Sequence, residues 1–214
     1  TGGSNILLGS LAGDGISDAS HIVAIGDSAA RLGSVTTDAN GSVAVGSYSL
    51  GNLTSGIANV AIGYEALQEE DDGDHNTAVG YQALKAQTGT TGAVANTAMG
   101  FAAGESVTSG IRNTYIGSNS GQKASGSAAD DNAGLGYKSL NALTSGSRNT
   151  ALGAWAGLQL QNASDIVALG HYTLANANTS TDIDGCVAIG SYSQAENKTG
   201  QGNVSVGLSA LQSD

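Results

Sequence analysis

A glycine preceded by a large aliphatic residue recurs twelve times along the 214 residues of this chain. The glycines are Gly9, Gly26, Gly46, Gly63, Gly80, Gly100, Gly117, Gly136, Gly153, Gly170, Gly190 and Gly207. Successive glycines are 17 or 20 residues apart, with a single interval of 19. So regular a period predicts one short structural unit stacked end to end, which makes a rod rather than a globule around a pocket.

The residues on either side of each glycine follow a strand pattern. The residue before the glycine is always large and aliphatic, and Ala precedes that residue in eight of the twelve repeats. Because side chains alternate with period two along a strand, one strand face carries large side chains and the other carries small ones. Three residues after each glycine the side chain is never larger than Thr, which indicates the inside of a narrow coil.

The fold class predicted from these positions is all-β: a parallel β-solenoid or β-roll of about 12 coils with 17–20 residues each. Residues 1–214 are expected to form a single repeat domain. Each coil should contain a strand, a corner at the glycine with positive φ, a second short strand and a variable loop. The 20-residue repeats should bulge where their loops carry extra residues. No apolar stripe of helical spacing persists from repeat to repeat, which disfavours a helical fold.

The composition favours an oligomer. Hydrophobic residues make up 40% of the chain, but aromatic residues only 4%, and much of the remainder is Ala and Val, which bury little area each. The aliphatic residues before the glycines would be covered if three chains met along a common axis. We therefore expect a homotrimeric fibre.

Several stretches resemble repeats of known fibrous proteins. NVAIGYEAL, NTAVGYQAL, NTAMGFAAG, NTALGAWAG and NVSVGLSAL resemble the glycine-anchored repeats of bacteriophage tail fibres, and SVAVGS and VAIGSYSQAENKTG are similar to the head repeats of trimeric autotransporter adhesins. The resemblance covers Asn5 to Leu211. It implies a trimeric β-roll that attaches to another cell's surface. Adhesin head repeats are shorter and more uniform, so the repeat length here favours a tail fibre of a virion.

The resemblance implies a host-surface glycan or protein receptor as the partner, and no enzymatic activity. A bacterial adhesin head at the cell surface and a purely structural shaft stay open as alternatives. A polysaccharide-degrading tailspike is disfavoured, because its paired carboxylates should recur in adjacent coils, whereas the acids here cluster in one loop. Tail fibres are often followed by a self-cleaving chaperone domain. None is visible before Asp214, so we expect a processed product or an excised segment.

Charge and motifs exclude several other functions. Seven Lys and Arg against eighteen Asp and Glu give a net charge of −11, which repels nucleic acid. No run of 18 apolar residues predicts membrane insertion. We expect no cofactor, since phosphate loops, nucleophile elbows and cysteine pairs are missing from the sequence. The single Cys186 is predicted to be a small buried side chain, and His21, His75 and His171 lack metal-ligand spacing.

An acidic cluster runs from Glu69 to Asp74, interrupted only by Gly73. It could be a solvated loop or supply oxygen ligands to Ca²⁺, but it lacks the alternating spacing of a dedicated calcium loop. No metal site is predicted with it.

Eight repeats begin with Asn, which predicts a ladder of side-chain amides along the fibre. These residues are Asn5, Asn59, Asn76, Asn96, Asn113, Asn132, Asn149 and Asn203.

The candidate recognition site is the second position after the glycine. Three successive coils carry Trp155, Tyr172 and Tyr192 there, and Tyr48 occupies the same position nearer the N-terminus. Exposed rings about 4.8 Å apart would form a flat column on which sugar rings could stack. The alternative is a structural ladder of stacked aromatic residues without a ligand.

Overall fold

Twelve three-residue strands form one parallel sheet in the computed structural model, one strand from each repeat. The structure describes residues 3–31, 39–88, 92–124, 129–177 and 183–212. The strands are β1 (Ile6–Leu8), β2 (Val23–Ile25), β3 (Val43–Val45), β4 (Val60–Ile62), β5 (Gly73–Asp74), β6 (Thr77–Val79), β7 (Gly92–Ala93), β8 (Thr97–Met99), β9 (Thr114–Ile116), β10 (Ala133–Leu135), β11 (Thr150–Leu152), β12 (Val167–Leu169), β13 (Val187–Ile189) and β14 (Val204–Val206). β5 and β7 pair separately as a second, two-stranded parallel sheet.

The strands of the large sheet keep the same register whatever the length of the repeat. Val43 pairs with Val60 across 17 residues, and Val23 pairs with Val43 across 20. The predicted parallel β-solenoid is therefore confirmed, and no α-helix occurs among the described residues. The predicted bulges of the longer repeats fall on 32–38, 89–91, 125–128 and 178–182, which lie outside the described residues. Coils are numbered below by their glycines, from Gly9 in coil one to Gly207 in coil twelve.

Each of the twelve glycines forms a corner directly after its strand, as predicted. Their φ angles lie between +122° and +138°, a region that strongly favours glycine. The corners also stack closely: a Cβ on Gly63 would lie 2.3 Å from the carbonyl oxygen of Gly80 in the next coil. Both conformation and contact exclude a side chain here.

The predicted second strand after the corner is wrong. The four residues that follow the corner form turns, and the second and fourth of them have positive φ, such as +53° at Glu65 and +50° at Leu67. A β-strand requires negative φ throughout. The turns nevertheless continue the ladder between coils, since Glu65 N–H donates to Ser47 O of the preceding coil and Leu67 N–H to Ala83 O of the next, both at 3.0 Å. These bonds stabilise the left-handed residues.

The interior of the solenoid is narrow and contains small side chains. The Ala residues in the middle of the strands are buried, and so are the small residues three positions after the corner in coils two to eleven. Larger apolar residues fill the remaining space, and Leu50, Leu67, Leu84, Leu140 and Leu174 are all fully buried. In contrast, the aliphatic residues before the corners face outward, and Ile62, Met99 and Leu152 are 40%, 48% and 51% exposed.

A single aromatic residue, Tyr115, replaces Ala in the middle of a strand and is fully buried. Three glycines make room for it. A Cβ on Gly121 would lie 2.4 Å from the Tyr115 ring, and one on Gly104 or Gly134 would lie 3.2 or 3.3 Å away. Gly104 and Gly121 occupy the position where coils three to five have Leu, so the ring takes the volume of those missing side chains.

The predicted asparagine ladder is present, but most of its bonds go to the backbone. Asn59 Oδ1 accepts from Asn76 N–H at 2.8 Å, and Asn59 Nδ2 donates to Gly73 O at 2.7 Å, so one side chain satisfies two backbone groups of the next coil. Amide-to-amide bonds join Asn113, Asn132 and Asn149. The ladder therefore fixes the backbone of each coil against the next.

Cys186 occupies the asparagine position of coil eleven and is buried, as expected. Its thiol donates to Gly200 O at 3.2 Å.

Replacing Gly63 with Ala should destabilise the solenoid by about 3 kcal/mol or more, because the new Cβ meets the backbone of the next coil and the φ of +137° is strained. Gly41→Ala is the matched control. Gly41 has φ +74° with open space around it, and Ala58 has the same position and φ +54° in the next coil. The control should cost about 1 kcal/mol or less. Thermal unfolding followed by circular dichroism compares the two, and equal losses would contradict the stacked corner.

Candidate functional site

Eight of the nine aromatic residues lie outside the core, at the two positions that follow the corner glycine. They are Tyr48, Tyr64, Tyr81, Phe101, Tyr137, Trp155, Tyr172 and Tyr192. Aromatic residues normally dominate a protein core because they bury the largest apolar areas. Their placement along one outer edge of this solenoid singles out that edge as a surface with a role beyond folding.

The first group, called here the N-terminal stack, consists of Tyr64, Tyr81 and Phe101 in coils four to six. Both neighbouring pairs have ring centroids 5.3 Å apart, with interplanar angles of 18° and 8°. Parallel rings at this spacing cover both faces of Tyr81 and leave ring edges to solvent. The geometry of the N-terminal stack therefore fits a structural ladder along the solenoid.

The N-terminal stack was not predicted, because the aromatic column was predicted at the second position after the corner, whereas these rings occupy the first. The signal was present in the sequence, since three consecutive coils have an aromatic residue immediately after the glycine.

The second group, called here the C-terminal cluster, contains Tyr137, Trp155, His171, Tyr172 and Tyr192. The predicted flat column does not form. Trp155 and Tyr172 meet at 6.2 Å and 70°, and Tyr172 and Tyr192 at 5.4 Å and 38°. His171, at the first position of its coil, packs 5.2 Å from Trp155 and 5.5 Å from Tyr192. The six ring pairs of the cluster meet at angles from 35° to 77°, so none of them is parallel.

The C-terminal cluster brings together the three predicted glycan-binding residues. Trp155 and Tyr172 are half-buried, and Tyr192 is 37% exposed. The rings of the N-terminal stack are more exposed, at 42% to 53%, so the two groups differ in ring orientation rather than in greater exposure of the cluster. Lys138 Nζ lies 5.2 Å from the centroid of the Tyr137 ring, which adds a positive charge at the edge of the cluster.

The acidic loop is part of the fold rather than a solvated loop. Glu70 is fully buried, at the core position that Leu53 and Leu143 occupy in other coils. Its Oε1 accepts from Gly73 N–H at 2.7 Å, and its Oε2 accepts from Asn76 Nδ2 at 3.1 Å. The sequence did not indicate that Glu70 is buried, because its neighbours Glu69 and Asp71 are also acidic and suggested an exposed loop.

The other carboxylates of this loop bind the preceding coil. Asp72 Oδ1 accepts from Thr54 Oγ1 at 2.7 Å and from Ser55 Oγ at 2.9 Å, and Asp74 Oδ1 accepts from Ile57 N–H at 2.9 Å. Across the described ranges no group of three His, Cys, Asp or Glu side chains is placed to hold a metal ion. The calcium interpretation therefore gains no support from the geometry.

Comparisons with protein-family models, with curated proteins and with solved structures find no match for this chain. Within the part of the chain that the structure describes, no helix is long and apolar enough to cross a membrane. The function must therefore be argued from the surfaces of the solenoid itself.

The buried Glu70 predicts a pH-dependent stability. Burial, reinforced by the charges of Asp71 and Asp72 and opposed by the hydrogen bond from Gly73 N–H, raises the pKa of Glu70 from 4.5 to about 7. Because the folded pKa is above the unfolded pKa, the stabilisation is complete below pH 4.5 and is lost as the pH rises through 7. The loss is on the order of 3 kcal/mol.

Urea unfolding of the wild type and of Glu70→Gln between pH 5 and 8 measures this effect. Gln87 holds the same position in the next coil, fully buried, so an amide fits there. The variant should lack the wild-type decline between pH 5 and 8. Parallel pH profiles of the two proteins would show that Glu70 does not titrate in this range.

Proposed function

We propose that this chain is a non-enzymatic segment of a homotrimeric attachment fibre, of the kind that phage tails carry, and that it contacts a host-cell surface. The observation that carries the proposal is the outward face of the twelve-stranded sheet. Each coil contributes the large aliphatic residue before its corner to this face, and the residue three before the corner is Ile, Val or Ala in eight coils and Thr in four. The chain itself leaves both positions partly or largely exposed.

The outward face forms a continuous strip along the solenoid. It consists of the residues three and one before each corner, a width of about 10 Å, and twelve coils extend about 55 Å along the axis. Its area is roughly 550 Å² per copy, near the top of the range for the largest apolar patch of a typical monomer, and such patches are often functional.

Three copies around a common axis would cover this face. Cyclic symmetry places the same coil of each chain at the same height, so every coil contributes one aliphatic side chain to a central core. The number three comes from the resemblance to trimeric fibres. In this arrangement the solenoid interior is filled by its own chain, and the outward face is filled by the other two copies.

The C-terminal cluster is the proposed receptor site, with a cell-surface glycan as its ligand. Partly exposed amphipathic rings suit sugar rings, which present C–H groups on one side and hydroxyl groups at the rim. The N-terminal stack, whose parallel rings cover each other, is assigned a structural role. A purely structural shaft is the second candidate function, and the N-terminal stack is the observation that favours it.

The trimer has a direct test in light scattering, which should give a particle of about three times 20.9 kDa. Ile62→Asp, on the outward face, should dissociate or unfold the trimer, because it would bury a charge without a partner. Ala58→Asp is the matched control: Ala58 is exposed and its position holds Asp131 and Asp165 in later coils. A stable monomer of the wild type, or a trimer unaffected by Ile62→Asp, would contradict the proposal.

The glycan site is tested by the double change Trp155→Ala and Tyr172→Ala. Binding to a glycan array and adsorption to host cells should both be abolished, because two rings at the centre of an interface carry much of its binding energy. The melting temperature of the trimer should fall by only a few degrees.

The control is the equivalent double change Tyr64→Ala and Tyr81→Ala in the N-terminal stack, which should leave binding intact. Unchanged adsorption of the C-terminal variant would place recognition elsewhere, in line with a structural shaft.

A further inference from the structure

A polar groove crosses coils seven to nine. Its lining residues lie five to eight positions after the corner glycine of each coil. It has a volume of about 340 Å³. Its walls are formed by Lys123, Asn141, Ala142, Leu158, Gln159 and Gln161. Amides and one ammonium group thus dominate a cavity large enough for a single sugar residue.

The groove adjoins the C-terminal cluster. Leu158 in its wall belongs to the same turn as Trp155, and Leu158 N–H donates to Trp155 O at 3.3 Å. Trp155 and the groove residue Leu158 are thus three residues apart in one turn of coil nine.

The backbone beneath the groove is fixed by bonds between coils. Lys123 N–H donates to Asn141 O at 2.8 Å, and Ala142 N–H donates to Leu158 O at 3.2 Å. Gln159 N–H continues the ladder to Ala175 O at 3.0 Å. The side chains that line the groove are therefore held on a rigid framework, which lowers the entropic cost of binding.

Several polar atoms of the groove have bonding capacity left. Asn141 is pinned through Nδ2, which donates to Asn119 O at 2.9 Å, while its Oδ1 accepts no hydrogen bond from the described residues. Gln159 makes only a long side-chain bond, 3.4 Å from its Nε2 to Asn176 Oδ1. Asn141 Oδ1 can accept from the hydroxyl groups of a sugar, and the Gln159 amide can both accept through Oε1 and donate through Nε2.

Lys123 is the distinctive residue of the groove. It is exposed and forms no ion pair with any residue that the structure describes, whereas Lys85, Arg112 and Arg148 each pair with a carboxylate. The carboxylate of Glu105, in the preceding coil, accepts instead from Gln122 Nε2 at 2.8 Å. Arg31 and Lys138 likewise form no ion pair among the described residues, but of these three cations only Lys123 lines the groove.

We propose that this groove is the polar half of the glycan site and selects a carboxylated sugar. The sugar carboxylate pairs with Lys123, its hydroxyl groups bond to Asn141 and Gln159, and the adjoining sugar residue packs against the Trp155 side of the C-terminal cluster. The inference rests on the proposed glycan recognition, and it adds the chemical class of the ligand. Long-range electrostatics of this acidic chain oppose an acidic glycan, so selection depends on the short-range contact with Lys123.

The test uses an array of neutral and uronic-acid-containing oligosaccharides, followed by titration with a galacturonate trisaccharide and the neutral galactose trisaccharide. The wild-type trimer should bind the carboxylated members. Lys123→Gln should weaken that binding by roughly ten- to a hundred-fold, the effect of losing one charge-assisted hydrogen bond. Lys198→Gln, which alters an exposed lysine of coil eleven outside the groove, should leave it unchanged.

The outcomes separate the two proposals. Binding confined to neutral glycans, or equal binding by the wild type and Lys123→Gln, overturns the groove. If the groove variant still binds while the Trp155 and Tyr172 double variant does not, the aromatic site holds and the groove does not belong to it. If the trimer binds no member of the array, glycan recognition by this segment is wrong and the groove inference fails with it.

Discussion

Close contact between successive corner glycines is the constraint on which the rest of this structure depends. In the stacked corners a Cβ would lie within 2.3 to 2.8 Å of the next coil, so each coil must sit directly above its predecessor. This spacing fixes the strand register and aligns equivalent side chains in columns, whatever the loop length. Columns of asparagine, alanine and aromatic residues are consequences of this alignment, because one position then repeats along the whole solenoid.

Alignment in columns gives the solenoid two kinds of surface. The outward sheet face carries an aliphatic residue in every coil, which suits a contact that extends along the whole solenoid. The corner edge varies from coil to coil: parallel rings in the N-terminal stack, edge-to-face rings beside a polar groove in the C-terminal cluster. Constant columns are suited to assembly, and the variable edge is suited to recognition, where a few differing residues set specificity.

The repeat period made most of the fold predictable from the sequence, because small residues and corner glycines leave a distinct pattern. The turns after the corner were not predictable, since Glu65 and Leu67 have left-handed φ without being glycine, and only their bonds to adjacent coils explain this. The burial of Glu70 could have been found by aligning it with Leu53, but its acidic neighbours suggested an exposed loop. His171 packs against Trp155 in the C-terminal cluster. This contact could not be predicted from the second position after the corner alone, because His171 occupies the first position of its coil.

Cryo-electron microscopy of the purified assembly would determine how the proposed three chains are arranged around a common axis. We expect a three-fold symmetric cross-section of three narrow rolls, with the outward sheet faces turned to the axis and the aromatic edges at the periphery. Along the axis we expect an advance of about 4.8 Å per coil and a length of roughly 55 to 60 Å for these twelve coils. A single isolated roll, a compact particle, or sheet faces turned away from the axis would contradict this arrangement.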